Sequence, residues 1–364
     1  MLHTFQMILK RKGRRTEAAQ GRKASLALFL VLLLILSSCN HHDSGHRKYY
    51  SAYDNVIDVK QDIREVPIED VDISAWGKPY LLNDYLLLSD VMSYDKLIHI
   101  FDKNTFKYLT SVGNKGQGPG EIANLINIIP DEKANTFYAI DYGNLGLLSF
   151  PMDSILTNPD YVPTKKAGIE QTEFPIQLQY VSDTVSYGMF WHILNAGDYV
   201  PLIAKWNMKT GERTFMKYTG HPDVERKRVK FAASPEHDLY VELYQHHDLI
   251  SFCTLAGELK CNAYGKQWND LTSNADQYFD EAVFCGDKVV ASYLGRAQFY
   301  EQDGQTRVYR PDKLLVFDLE GNHLSTLDIR YAILSFCYDA ENKRLLFTFD
   351  DEIQFGYLDL GNIL

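Results

Sequence analysis

The sequence predicts an all-β protein, a six-bladed β-propeller whose ring is closed by an N-terminal strand. Three observations point there. A unit of strand, polar turn and strand recurs six times; sustained 3.6-residue periodicity is missing beyond the N-terminal apolar run; and the chain is aromatic-rich, with 24 Tyr and 19 Phe in 364 residues. Aromatic side chains favour strands. The length is large for one compact domain, but stacked repeats run longer as one unit because each repeat covers its neighbour.

The chain opens on Lys10, Arg11, Lys12, Arg14, Arg15, Arg22 and Lys23, followed by an apolar stretch from Ala24 to Leu36 and then Leu36-Ser37-Ser38-Cys39. The apolar stretch is too short to span a bilayer comfortably. L-S-S-C resembles the lipobox of bacterial lipoproteins, and the resemblance implies a cleaved signal peptide over 1–38 with a lipid on Cys39. Residues 39–50 read as a polar tether, and 51–364 as the propeller. The formal net charge is −11, and without the seven basic residues and Glu17 of the leader it becomes −17. Such an acidic body excludes nucleic acid as a partner and is repelled by anionic lipid, so the lipid must do the anchoring. His41, His42 and His46 belong to the tether and are read as mobile rather than as metal ligands.

The repeat is carried by aromatic anchors: Phe101, Phe150, Trp206, Phe252, Phe317 and Tyr357, at steps of 49, 56, 46, 65 and 40 residues. Propeller repeats run roughly 40 to 50 residues. Gly211, Gly257 and Gly321 stand where the hairpin after an anchor wants a left-handed residue. Upstream of the anchors lie strands at Tyr85–Leu88, Phe137–Ile140, Ser186–Trp191, Leu239–Leu243, Val289–Tyr293 and Leu345–Phe349. The sixth copy ends too soon after Tyr357 for an outer strand, while stretches at Tyr53–Val59 and Val66–Ile73 have no blade. An N-terminal strand that joins the last blade removes both open edges.

Between the first two copies runs V-G-N-K-G-Q-G-P-G-E-I. Gly113, Gly116, Gly118 and Gly120 with Pro119 suit a tight structural excursion. The offsets match neither a dinucleotide fingerprint nor a Walker loop, and no helix follows to receive a phosphate. These glycines, with Ile122, Asp131, Tyr138, Asp141 and Phe150, resemble the NHL repeat. G-Q-G-P-G-E also resembles TolB-like six-bladed propeller lipoproteins of bacteria, strongly over about 40 residues. The resemblance implies the same architecture and an envelope location.

Four cysteines follow the lipobox. An exported protein could oxidise them, and Cys253 and Cys261 flank Gly257 in one hairpin and are expected to share a face and lie near each other; the favoured reading of these two, Cys285 and Cys337 is ordinary buried thiols, and no C-x-x-C zinc or redox pair occurs. His246-His247-Asp248 reads as a solvated turn, because neighbouring strand residues point to opposite faces and do not share a metal.

Function is expected on the face that carries the second-to-third-strand and inter-blade loops, where rigid blades hold variable connections. Two of these loops, 192–201 and 295–311, exceed the usual length. Their aromatic and arginine residues nominate Trp191, His192, Tyr199, Arg296 and Arg310 for ligand binding, with Phe190 and Trp191 alternatively packed between blades. The expected protein is an outer-membrane lipoprotein, monomeric and without cofactor, that binds a peptide, glycan or partner protein at the cell envelope. The alternative is a metal-dependent lactonase- or lyase-like enzyme, with Asp90, Asp141, Asp350 and Asp351 around an axial Ca²⁺. No G-x-S-x-G or H-E-x-x-H is present, and nothing nominates catalytic residues.

Overall fold

The structure, a computed structural model, describes residues 46–158, 160–268, 276–361 and 363. The leader, Cys39, His41 and His42 lie outside them. The regular structure of the described chain is almost entirely strand, joined by turns, with α1 (Met152–Thr157) and one turn of 3₁₀-helix at Lys60–Asp62 besides. Six antiparallel blades follow one another. Blade 1 holds Lys78–Leu82, Tyr85–Ser89, Lys96–Asp102 and Tyr108–Asn114; blade 2 holds Leu125–Asp131, Thr136–Asp141, Gly146–Pro151 and Thr164–Gly168. Blade 3 holds Glu173–Tyr180, Val185–Asn195, Asp198–Asn207 and Arg213–Phe215; blade 4 holds Val229–Ser234, Leu239–Tyr244, Leu249–Thr254 and Leu259–Tyr264. Blade 5 holds Asp276–Cys285, Lys288–Ala297, Lys313–Asp318 and His323–Asp328, and blade 6 begins with Ile333–Asp339, Arg344–Phe349 and Phe355–Asp359.

Every anchor aromatic falls on the third strand of its blade. Six buried apolar clusters fill the six blade interfaces, one each. Phe137 and Phe150 lie between blades 1 and 2, Phe190 and Trp206 between 2 and 3, and Phe231 and Tyr240 between 3 and 4. Phe252 and Phe317 lie between 4 and 5, Phe336 and Phe347 between 5 and 6, and Phe101 and Phe355 between 6 and 1. A blade buried on both faces explains why strict alternation is absent from its strands. The hairpins after the anchors of blades 3, 4 and 5 place a left-handed residue just before the fourth strand, at Gly211, Gly257 and Gly321 (φ 80°, 81° and 80°). Blade 1 puts Phe106 there at φ 57°. Its ring packs on Tyr357 across the seam between blades 6 and 1, at 5.9 Å between centroids.

The N-terminal segment closes the ring, and it straps more of it than expected. β1 (Arg47–Tyr49) runs parallel to the fourth strand of blade 4, Arg47 opposite Asn262. β2 (Val56–Asp58) runs parallel to the fourth strand of blade 5, Val56 opposite Thr326. β3 (Arg64–Glu65) pairs antiparallel with Phe355–Asp359, Arg64 opposite Tyr357, and so supplies the outer strand of blade 6. Two expectations need correction. The tether does not reach residue 50, because Arg47–Tyr49 already adds to blade 4 and Tyr50 is buried in the interface between blades 4 and 5. Val66–Ile73 is not a strand; it crosses from blade 6 to blade 1, held by Val66 N–H on Phe355 O at 2.9 Å.

Candidate binding face and axial channel

The first strands of all six blades line a channel along the ring axis. Lys78 of blade 1 reaches past blade 6 to pair with Glu281 of blade 5, Nζ to Oε1 at 2.8 Å. The other Glu281 oxygen accepts from Ser335 Oγ at 2.7 Å and from the Phe336 N–H at 3.0 Å, both on blade 6. One carboxylate thus joins three blades. Burial alone would lower the Lys78 pKa, but Glu281 outweighs it and holds the ammonium well above its ordinary value. This pair borders both channel cavities. The upper, of about 280 Å³, is lined by Trp191, Met189, Gln177, Asn127 and the Lys230–Asp280 pair; the lower, of about 500 Å³, is lined by Tyr80, Gln179, Tyr180 and Tyr338.

The long upper connections are strand hairpins rather than irregular loops. Blade 3 extends its second and third strands as far as Asn195 and Asp198 around Ala196-Gly197, with Gly197 at φ 88°. Blade 5 carries a separate hairpin, Phe299–Gln302 with Gln305–Val308, turning at Gly304.

The five nominated residues fall at four stations on this face, with Trp191 and Tyr199 together. Trp191 stacks on Tyr199 at 4.1 Å between centroids, and the Arg228 guanidinium lies 4.1 Å over the other partner of that pair, Tyr199. Arg228 also binds Asp198 at 2.9 Å. Trp191 is half-buried, packed on Phe174 of its own blade and on the cluster between blades 2 and 3, and it also lines the upper cavity. His192 is held by Glu173, Nδ1 to Oε2 at 2.9 Å, and Glu173 is shared with Arg213 at 3.0 Å. In blade 5, Arg296 lies 4.0 Å over Tyr309, which stacks on Tyr300 at 4.1 Å. Arg310 lies 4.9 Å over Trp76 and contacts Asp350 at 3.3 Å. Each nominated arginine thus has an aromatic partner, an arrangement that keeps the guanidinium flat and partly desolvated. Sequence reading missed Arg228, Trp76 and Glu173 because they come from other segments. The repeat did offer one signal, since Arg228 and Trp76 stand in inter-blade connections, which lie on the same face.

The proposed carboxylate ring is not formed. Asp90 accepts from Ser74 N–H and Oγ at 2.8 and 2.6 Å and from Met92 N–H at 3.0 Å. Asp141 accepts from the N–H groups of Ala123, Asn124 and Gly143 at 3.1, 2.8 and 3.0 Å. Asp351 accepts from Ala332 N–H at 3.0 Å. These aspartates close the second strands and clamp the incoming inter-blade loop, which is the physical use of the Y-x-x-D string at Tyr138–Asp141. Asp350 faces Arg310 instead. Among the described residues no group of three or more His, Cys, Asp or Glu side chains is arranged to hold a metal ion.

The glycine loop folds around its own acid. Gly118 N–H donates to Glu121 Oε2 at 2.7 Å, and a Cβ on Gly116 would stand 1.9 Å from the same oxygen. Gly113 and Gly120 take φ of 77° and 78°. Lys115 Nζ then ties the loop to blade 1 through the carbonyls of Val91 and Ser93 at 3.2 and 2.9 Å.

Two further expectations fail. His246-His247-Asp248 is not a solvated turn: Asp248 is buried, accepting from Tyr50 OH at 2.6 Å, Tyr293 OH at 3.2 Å and Gln267 N–H at 3.2 Å. Burial, ahead of these hydrogen bonds, raises its pKa. Cys253 and Cys261 do not share a face. A bulge at Phe252/Cys253 shifts the register so that Cys261 opposes Phe252 and Cys253 opposes Leu259. Cys253 then faces blade 3 and Cys261 faces blade 5. All four thiols are free; burial pushes each one up, Cys261 to about 11.

Fold and face define the class: a six-bladed β-propeller that presents stacked arginine–aromatic pairs beside an axial channel. The profile of DUF5128, described as a 6-bladed beta-propeller, matches residues 68–188, from the connection into blade 1 to the second strand of blade 3. Among solved structures the chain is similar to a member of the DUF4221 family from Bacteroides vulgatus, with a TM-score of 0.55 and 11% identity over 82% of this chain and 98% of that one. It is also similar to a luciferin-regenerating enzyme, with a TM-score of 0.53 and 9% identity over 80% of this chain and 94% of that one. At such identities the likeness concerns the fold alone. No curated protein matches the chain. The chain is a β-propeller, a scaffold that serves in general as a binding and interaction module.

Proposed function

We propose that this protein is a cell-envelope lipoprotein of the TolB-like or NHL-like kind, held in the outer membrane through Cys39, and that its upper face binds a peptide, glycan or partner protein. The observation that carries the reading is an asymmetry of exposed apolar side chains. The upper connections expose Trp76, Val91, Met92, Tyr94, Leu194 and Phe299, with Tyr94 98% accessible. Among the described residues the connection between the third and fourth strands of blade 2 exposes Leu156 and Val162, and Val162 lies against Gly120 of the upper glycine loop. Exposed apolar groups gathered on one face and interleaved with arginine are the composition of a recognition surface. The propeller holds them rigidly, so little conformational entropy is lost on binding.

The test is capture from envelope extract and from a glycan array with the purified chain, compared with Tyr94→Ser and Arg296→Ala. Both positions are exposed enough to leave the fold intact. The expected result is about a tenfold loss of affinity for whatever the native face retains, equivalent to about 1.4 kcal/mol. Retention unchanged in both variants and in His192→Ala would place the binding face elsewhere.

A further inference from the structure

We infer that the outer edge of blades 4 and 5, formed by the N-terminal strap, rests on the headgroup region of a lipid bilayer. The inference rests on lipid attachment at Cys39. The strap has two sides. Tyr50, Ser51, Ala52 and Val59 turn inward and are buried. The outward side carries Tyr49, Tyr53, Val56 and Ile57, accessible by 73, 76, 46 and 37%, with Leu324 of the adjoining strand at 38%. An edge strand that faces water is normally blunted with charge, because its free backbone groups and apolar side chains invite association. Here two tyrosines, about three-quarters accessible, and two β-branched residues stand exposed beside Arg47, Asp54 and Asp58. Tyrosine favours a boundary that is apolar on one side and wet on the other.

The occupant follows from chain length. Cys39 stands seven backbone steps before His46. Fully extended they reach about 25 Å, so a lipid on Cys39 keeps this edge within that distance of the membrane. Such tethering raises the local concentration of the edge at the surface to roughly the millimolar range, where a weak apolar contact suffices. Charges along the strap are mixed, with Arg47, Lys48 and Lys60 among Asp54, Asp58 and Asp62. They select no anionic lipid, so the surface bound is a neutral, zwitterionic one. Docked on this edge, the ring leaves both channel mouths and the exposed residues of blade 1, opposite blade 4 in a ring of six, open to water.

The experiment uses the full lipidated chain in phosphatidylcholine–phosphatidylethanolamine vesicles that carry a headgroup-level nitroxide quencher. Tyr53→Cys, Ile57→Cys and Tyr94→Cys, each in a Cys337→Ser background, receive a bimane fluorophore, and mass spectrometry first establishes the lipid on Cys39. The expected result is about twofold quenching at positions 53 and 57 and little at 94. No quenching at 53 and 57, or equal quenching at all three, overturns the edge contact while the anchor stands. An unmodified Cys39 removes the anchor, and the edge contact with it. Burial of the position 53 label without vesicles, together with a dimer in sedimentation, assigns the edge to a second copy and overturns the lipid reading.

Discussion

Removing the Asp339 carboxylate should open the seam where the ring closes. Asp339 is 2% accessible and sits at the foot of blade 6. It accepts from Arg344 Nε at 3.0 Å and from Asn342 Nδ2 at 2.8 Å, with Lys103 of blade 1 at 3.7 Å. Arg344, 7% accessible, lies between the Phe106 and Tyr357 rings and donates to Lys103 O at 2.7 Å. Asp339→Ala leaves this buried guanidinium without its counter-charge, and stranding one member of a buried pair costs about 3–5 kcal/mol. With a urea dependence of about 3 kcal/mol per molar, the unfolding midpoint should fall by roughly 1–1.7 M. Tryptophan fluorescence during urea titration reads this directly. The double variant Asp339→Leu with Arg344→Met removes both charges and should recover most of the loss, since well-packed apolar replacements of buried pairs are often neutral. Burial alone would raise the Asp339 pKa, but the Asn342 donors, Lys103 and Arg344 outweigh it and lower it. Its contribution is therefore present above the ordinary carboxylate range and disappears as pH falls through the depressed value. A single-variant loss below about 1 kcal/mol, or a double variant as unstable as the sum of the singles, would refute the reasoning.

Other perturbations follow from the same geometry. Phe317→Ala, at a fully buried anchor between blades 4 and 5, should cost about 3–5 kcal/mol in the same titration. Asp248 carries the opposite pH sign from Asp339: burial raises its pKa, so its favourable share is present at low pH and fades as pH rises through the raised value. Asp248→Asn, which still accepts from Tyr50, should flatten the decline in stability over that window, measured by thermal melts from about pH 4 upward. Chelator should leave the melting temperature unchanged, with no stoichiometric calcium or zinc by elemental analysis; a drop of several degrees would revive the axial-cation enzyme.

The ring was legible in the sequence because each blade repeats the same local problem. A third strand must place a large aromatic against a neighbouring blade, and in four of the blades the turn after it takes a left-handed residue. That signal survives at Phe101, Phe150, Trp206, Phe252, Phe317 and Tyr357 even where the strands themselves have drifted, and the missing outer strand after Tyr357 told of closure from the N-terminus. What local pattern did not carry was any contact between segments far apart in the chain. Asp90 and Asp141 looked like free carboxylates until the inter-blade loops folded onto them, and Asp248 looked solvated until Tyr50, 198 residues away, covered it. One bulged residue at Phe252/Cys253 was enough to send two cysteines to opposite faces. Trp191 and Tyr199 were visible from their own hairpin, whereas Arg228, which caps their stack, arrives from the next inter-blade connection. Periodicity and turn chemistry are properties of neighbouring residues and can be read in one dimension. The partners of a buried charge are chosen by the closed ring, so only tertiary structure decides which carboxylates are sites and which are clamps.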